Sequence, residues 1–188
     1  MARVYIPKID DCFNSYHFCR SIINEKKMAT LNAISSMPMT RPPADIEIKF
    51  VGKTKAEIAQ IFELELIEHE YLHIVKIVAA TEAFIIMNAK TILNNKKDKS
   101  EIKQGIKKIT RRRHLDVEQL IGVWKNYKHD QARVFSEQLR IRKDRHWLAH
   151  GRYWDFMQGR IHSMTEVYTN CSTIVSIIED HNNRNRNS

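Results

Sequence analysis

From Lys55 to about Leu93 the chain reads as one unbroken helical pattern, with neither glycine nor proline to interrupt it. No other feature constrains the fold as strongly. Thr54 and Glu57 form a Thr-x-x-Glu capping box in front of the pattern, which fixes its start. Its second half, IVKIVAATEAFIIMNAKTIL, is almost continuously apolar and predicts a core helix surrounded by other elements. Glu82 falls inside that run, where a carboxylate is costly unless it is paired.

The rest of the chain must supply the surroundings. Five glycines and four prolines in 188 residues are too few for a turn-rich β architecture, so helices are expected throughout. Residues 9–34 predict an amphipathic helix with Phe13, Tyr16, Phe18, Ile22 and Ile23 on its apolar side, opened by Asp10 or Asp11. Pro38, Pro42 and Pro43 break the pattern. Ile46–Val51 alternates with period two like a short strand, an edge ribbon or a dimer contact. Ser100 caps a basic helix through Arg113, and residues 115–127 continue helically with Leu120, Val123 and Trp124 facing inward. A helix opens at Asp130 and is ended by Gly151, and Ser163 with Glu166 makes a second capping box before a closing helix. The expected fold is all-α: an up-and-down bundle of four to five core helices over residues 53–182. Residues 1–52 form an N-terminal helical and irregular extension, and 183–188 a polar tail.

A formal net charge of +9 suggests a polyanionic partner, nucleic acid ahead of a membrane surface, although a basic chain also gains mere solubility. Cys12, Cys19 and Cys171 make neither a disulfide framework nor a thiolate zinc site. MARVYIPKIDD lacks an apolar signal core, and no apolar run reaches transmembrane length. The expectation is therefore a cytoplasmic chain with no membrane partner.

Two motifs compete for chemistry. His69-Glu70-Tyr71-Leu72-His73 is a literal HExxH, which in a metalloprotease places two histidines on one helix face around zinc, with the glutamate activating water. No further histidine follows at HxxGxxH spacing. Glu65, Glu68, His69, His73 and Lys76 read together as one solvated polar stripe, and the Lys76 ammonium would oppose a dication. That weighs against a metal at His69, Glu70 and His73, and no cofactor is expected.

The second motif is Arg145-His146-Trp147-Leu148-Ala149-His150-Gly151-Arg152-Tyr153-Trp154. Arg145 stays charged and offers five donors for a scissile phosphate, while His150 titrates near neutral pH and can move a proton. Five residues turn an ideal helix by about 140°, so Arg145 and His150 do not share a face, whereas His146 and His150 do. Either the helix distorts before Gly151, or the site is completed across a dimer. Trp147 and Trp154 suit packing better than base stacking.

Arg145-x4-His150 in this Ala-His-Gly setting resembles the signature of the HEPN (higher eukaryotes and prokaryotes nucleotide-binding) superfamily, over roughly Thr54 to His181. The resemblance implies a metal-independent endoribonuclease, plausible as a toxin or antiphage effector, with the Arg145 and His150 motifs of a homodimer lining one cleft. Glu82 resembles the polar position that such proteins often keep on a core helix facing the motif, where it would hold Arg145 or His146; it could equally form a structural salt bridge. His146 would support the site by orienting phosphate. In one branch of the family a tyrosine two residues after the histidine is modified by a cognate antitoxin; here Tyr153 lies three residues after His150. RNA would be followed by the basic residues Lys103, Lys107, Lys108, Arg111, Arg112 and Arg113, with Arg142, Lys143 and Arg152 nearer the motif, unless the first run is simply a solvated face. A non-catalytic HEPN-like bundle that binds RNA, nucleotide or protein is the alternative.

Overall fold

The computed structural model describes residues 8–35, 47–95, 100–110, 115–150 and 160–186. Among them are six α-helices and no strand: α1 (Ile9–Ser35), α2 (Lys55–Asn94), α3 (Glu101–Ile109), α4 (Val117–Tyr127), α5 (Ala132–Ala149) and α6 (Met164–Arg186). The protein is an all-α helical bundle organised on α2, which packs against each of the other five α-helices.

The caps explain where the helices begin. Thr54 N–H donates to Glu57 Oε2 at 2.7 Å while Glu57 N–H donates back to Thr54 Oγ1 at 3.3 Å, so two of the unsatisfied donors at the start of α2 are paired. Ser163 and Glu166 repeat the arrangement at α6, at 2.8 and 3.4 Å. There the Arg160 guanidinium and the Ser163 backbone N–H hold the Glu166 carboxyl down to about 2. Ser100 caps α3 and Asp116 caps α4. Asp130 lies in a 3-10 turn (His129–Gln131), one step before α5 begins.

The apolar half of α2 sits in the main core as anticipated. Ile85, Ala89 and Ile92 pack with Ile102 and Ile106 of α3, Leu120, Ile121 and Trp124 of α4, Phe135 of α5, and Ile174 and Ile178 of α6. Trp124 is fully buried, so Trp124→Ala is expected to cost about 3–5 kcal/mol of unfolding free energy in a urea titration. The length and composition of α2 also suffice to cross a membrane, contrary to the reading of the apolar runs. Half of the qualifying stretch is buried within the bundle.

Three expectations are corrected. Ile48–Phe50 forms a 3-10 turn where a strand was expected: no partner strand exists among the described residues, and Phe50 is buried against Phe62, ring centroids 5.4 Å apart. Gly52, at φ 77°, turns the chain from there into α2, a conformation that disfavours any side chain. In α1, Phe18 and Ile22 are exposed; the covered stripe is Ile9, Phe13, Tyr16, Ile23, Leu31 and Ile34, with Arg20 and Lys27 at its polar positions. Arg20 there pairs with the Tyr16 hydroxyl and Lys27 with Glu63. Finally, His73 is buried at 3% exposure instead of lying on a solvated stripe, because α1 covers that part of α2.

Candidate functional site

α5 is capped by His150, whose N–H donates to the His146 carbonyl at 3.1 Å. Gly151, Arg152, Tyr153 and Trp154 lie outside the described residues, as do Arg111, Arg112 and Arg113. The spacing within α5 sorts the motif residues into two rows. Ile141, Arg145 and Leu148 follow the interior stripe at three- and four-residue steps, and the Arg145 Nε atom is buried there without a hydrogen-bond partner. Arg142, His146 and His150 form the neighbouring row at four-residue steps. The rings of His146 and His150, both exposed, lie 4.3 Å apart between centroids at 56°. The regular helix therefore brings His150 together with His146, and holds Arg145 on the inner side. Trp147 is half-buried.

Of the two readings open for Glu82, the structure shows the salt bridge. Glu82 accepts a hydrogen bond from Arg142 Nε at 2.7 Å, with Arg142 Nη1 also 3.7 Å from Glu118, so Glu82 holds Arg142 and not Arg145 or His146. Arg142 ties α5 to α2 and α4. Lys103 is buried, its ammonium donating to the Asn95 carbonyl at the end of α2. Among the residues assigned to RNA, Lys107, Lys108 and Lys143 are exposed. If RNA follows this face, replacing Lys107 or Lys108 with alanine is expected to lower the salt dependence of its binding by about one ion each. Lys103→Ala is expected to lower stability instead, so the binding isotherms and melting curves of the three variants separate surface from interior cations.

Sequence reasoning missed a cluster beside the motif. Asp144 is fully buried, and its Oδ2 accepts from the His162 backbone N–H at 2.9 Å and from His162 Nδ1 at 2.5 Å. His162 Nε2 lies 2.6 Å from Glu137 Oε1. With a carboxylate oxygen at each ring nitrogen, only the imidazolium satisfies both contacts. Burial pulls the His162 pKa down, but the hydrogen bonds to Asp144 and Glu137 outweigh it and the net shift is upward. The clamp fastens the approach to α6 onto α5, one residue before Arg145. Both nitrogens being engaged, His162 is not a free base. The two carboxylates were readable in the sequence, since Glu137 and Asp144 are seven residues apart and share a face of α5, but nothing local marked His162 as their partner.

A raised folded-state pKa means that the clamp contributes fully below the unfolded value of about 6.5, and that its contribution fades as pH rises through the folded value. The stability difference between wild type and His162→Gln, from urea titrations across pH, is expected to shrink as pH rises above neutrality.

The HExxH residues join three helices. His69 Nε2 contacts the Tyr16 carbonyl at 3.3 Å, and Tyr16 stacks on the His69 ring with centroids 5.6 Å apart. His73 Nδ1 donates to the His69 carbonyl at 3.0 Å, leaving Nε2 buried and unpaired. Burial, with the His69 and Lys76 charges, depresses the His73 pKa against the bond to the His69 carbonyl. Glu70 Oε1 accepts the first N–H of α6, from Met164, at 2.9 Å. The glutamate needed to activate water is thus a helix-capping acceptor, and no group of three His, Cys, Asp or Glu positioned for a metal occurs among the described residues. Glu70→Ala is expected to cost about 1 kcal/mol as a lost cap in urea titrations, and EDTA to leave the melting temperature unchanged.

No family model matches the chain, and no curated protein or solved structure matches it either.

Proposed function

We propose that the protein is a metal-independent endoribonuclease of the HEPN type, acting as a homodimer in a toxin or antiphage role. The observation that carries this reading is the end of α5: an exposed His150 ring against an exposed His146, with Arg145 one residue away in an all-α bundle. The ribose 2′-OH is the nucleophile. Its proton passes to an imidazole, the 2′-oxygen bonds to phosphorus, the P–O5′ bond breaks, and an imidazolium returns a proton to the departing 5′-oxygen. A guanidinium balances the charge growing on the phosphate oxygens. Because Arg145 and His150 diverge on one helix, the second protomer supplies the missing partner; the clamp at Asp144 and His162 keeps each half in place.

The reading is tested by overexpression in a bacterial host. Wild type is expected to arrest growth and His150→Ala to permit it; equal growth of both overturns the toxin role. The alternative is a non-catalytic bundle that binds RNA, nucleotide or a protein partner without cutting RNA. It predicts salt-sensitive RNA binding with intact substrate.

A further inference from the structure

Two histidine pairs stand at the i, i+4 spacing that lets imidazoles on one helix face share an ion: His69 with His73 on α2, and His146 with His150 at the end of α5. They differ in what is left to bind. His73 Nδ1 donates to the His69 carbonyl at 3.0 Å, and its Nε2 is buried. His69 Nε2 lies on the Tyr16 carbonyl at 3.3 Å. The pair inside the HExxH is therefore closed to an ion by the packing of α1.

His146 and His150 lie open. Both residues are exposed, and their rings are 4.3 Å apart between centroids at 56°. Two imidazoles bound to one ion through bonds of about 2.0–2.1 Å hold their centroids roughly 4.5–5 Å apart, so a small rotation of the side chains closes the chelate. Position adds to geometry. α5 runs to Ala149 with His150 as its cap, and the negative end of the helix dipole falls beside both rings, where it favours a cation. Of the basic residues nearby on α5, Arg142 is held by Glu82 at 2.7 Å, and the Arg145 Nε atom is buried. Lys143 is exposed, one turn before His146; its ammonium reaches water, where salt screens it.

We propose that His146 and His150 form a surface site for a divalent transition-metal ion of the kind imidazole selects (zinc, nickel or copper), with water completing the coordination. Two protein ligands make this an exchanging site and not a structural one, in keeping with the lack of a three-ligand group among the described residues. A bound ion occupies lone pairs that proton transfer needs, so zinc arrests cleavage on the ribonuclease reading. That consequence rests on the reading; the site itself does not.

Zinc chloride alone is the probe, with magnesium chloride, whose ion prefers oxygen ligands, as its counterpart. Calorimetric titration of the metal-free full chain without RNA, followed in parallel by amide chemical shifts, is expected to show saturable zinc binding with the largest shifts at residues 146–150. Magnesium is expected to produce neither. His146→Gln and His150→Gln each leave a single imidazole and are expected to weaken zinc by about tenfold or more, while His69→Gln is expected to bind as wild type does. Both α5 positions are exposed, so these variants are expected to fold, and melting curves verify it. Absence of saturable zinc binding, an equal response to magnesium, unchanged affinity in either α5 variant, or loss of binding in His69→Gln overturns the proposal. Zinc binding at these residues in a chain that cuts no RNA upholds the site and counts against the ribonuclease reading alone.

Discussion

Asp144→Ala is expected to be among the most destabilising single substitutions in this chain, at about 3–5 kcal/mol. The side chain is fully buried and accepts two hydrogen bonds from one residue, the backbone N–H and Nδ1 of His162. Its removal strands an imidazolium and a backbone donor and leaves a void, each a costly state in a packed interior. Domains of this kind are stable by roughly 5–15 kcal/mol, so the loss takes a large share. A urea titration at pH 6 measures it. Lys143→Ala, its exposed neighbour, is expected to stay within about 0.5 kcal/mol of wild type. A double-mutant cycle with His162→Gln is expected to give strong coupling, because each single change already breaks the same contact. Near-neutral effects of Asp144→Ala would contradict the clamp.

The largest expected effect on activity belongs to His150→Ala and Arg145→Ala, each lowering RNA cleavage by about 10²–10⁴-fold if the two residues carry proton transfer and charge stabilisation. Their stability signatures differ. His150 is exposed at the end of α5, so its variant is expected to melt with wild type. Arg145 lies on the interior row between Ile141 and Leu148 with Nε buried and unpaired, so its alanine variant is expected to change melting as well as cleavage. Arg145→Met, which keeps the buried stem and removes the unpaired donor, is therefore the better test of charge: expected stable, expected inactive. Activity retained in stable Arg145→Met would remove Arg145 from the mechanism.

What was legible in the sequence followed from local rules. The capping boxes at Thr54 and Ser163 and the apolar run through Ile92 depend on residues a few positions apart, and the α2-centred bundle followed from them. The angular mismatch of Arg145 and His150 was legible too, since it needs only helix geometry. The misplaced residues are those whose environment another helix sets. His73 reads as surface until α1 lies over it, and Lys103 reads as surface until the end of α2 offers it a carbonyl. Glu82 needed a partner, as its burial implied, but periodicity could not say which arginine; one row of α5 delivered Arg142. His162 carried no local signal beyond its place before a capping box, and its importance comes from carboxylates on the facing helix. The alternation at Ile46–Val51 misled because a strand requires a partner and a turn held by Phe50 does not.

Cleavage of a defined RNA in EDTA, beside the same strand carrying 2′-deoxyribose throughout, tests the central claim most directly. The account predicts that wild type cuts the RNA, leaves 2′,3′-cyclic phosphate ends and spares the deoxy strand, while His150→Ala melts normally and cuts neither. Cleavage of the deoxy strand, a requirement for metal, or undiminished cutting by His150→Ala would contradict it.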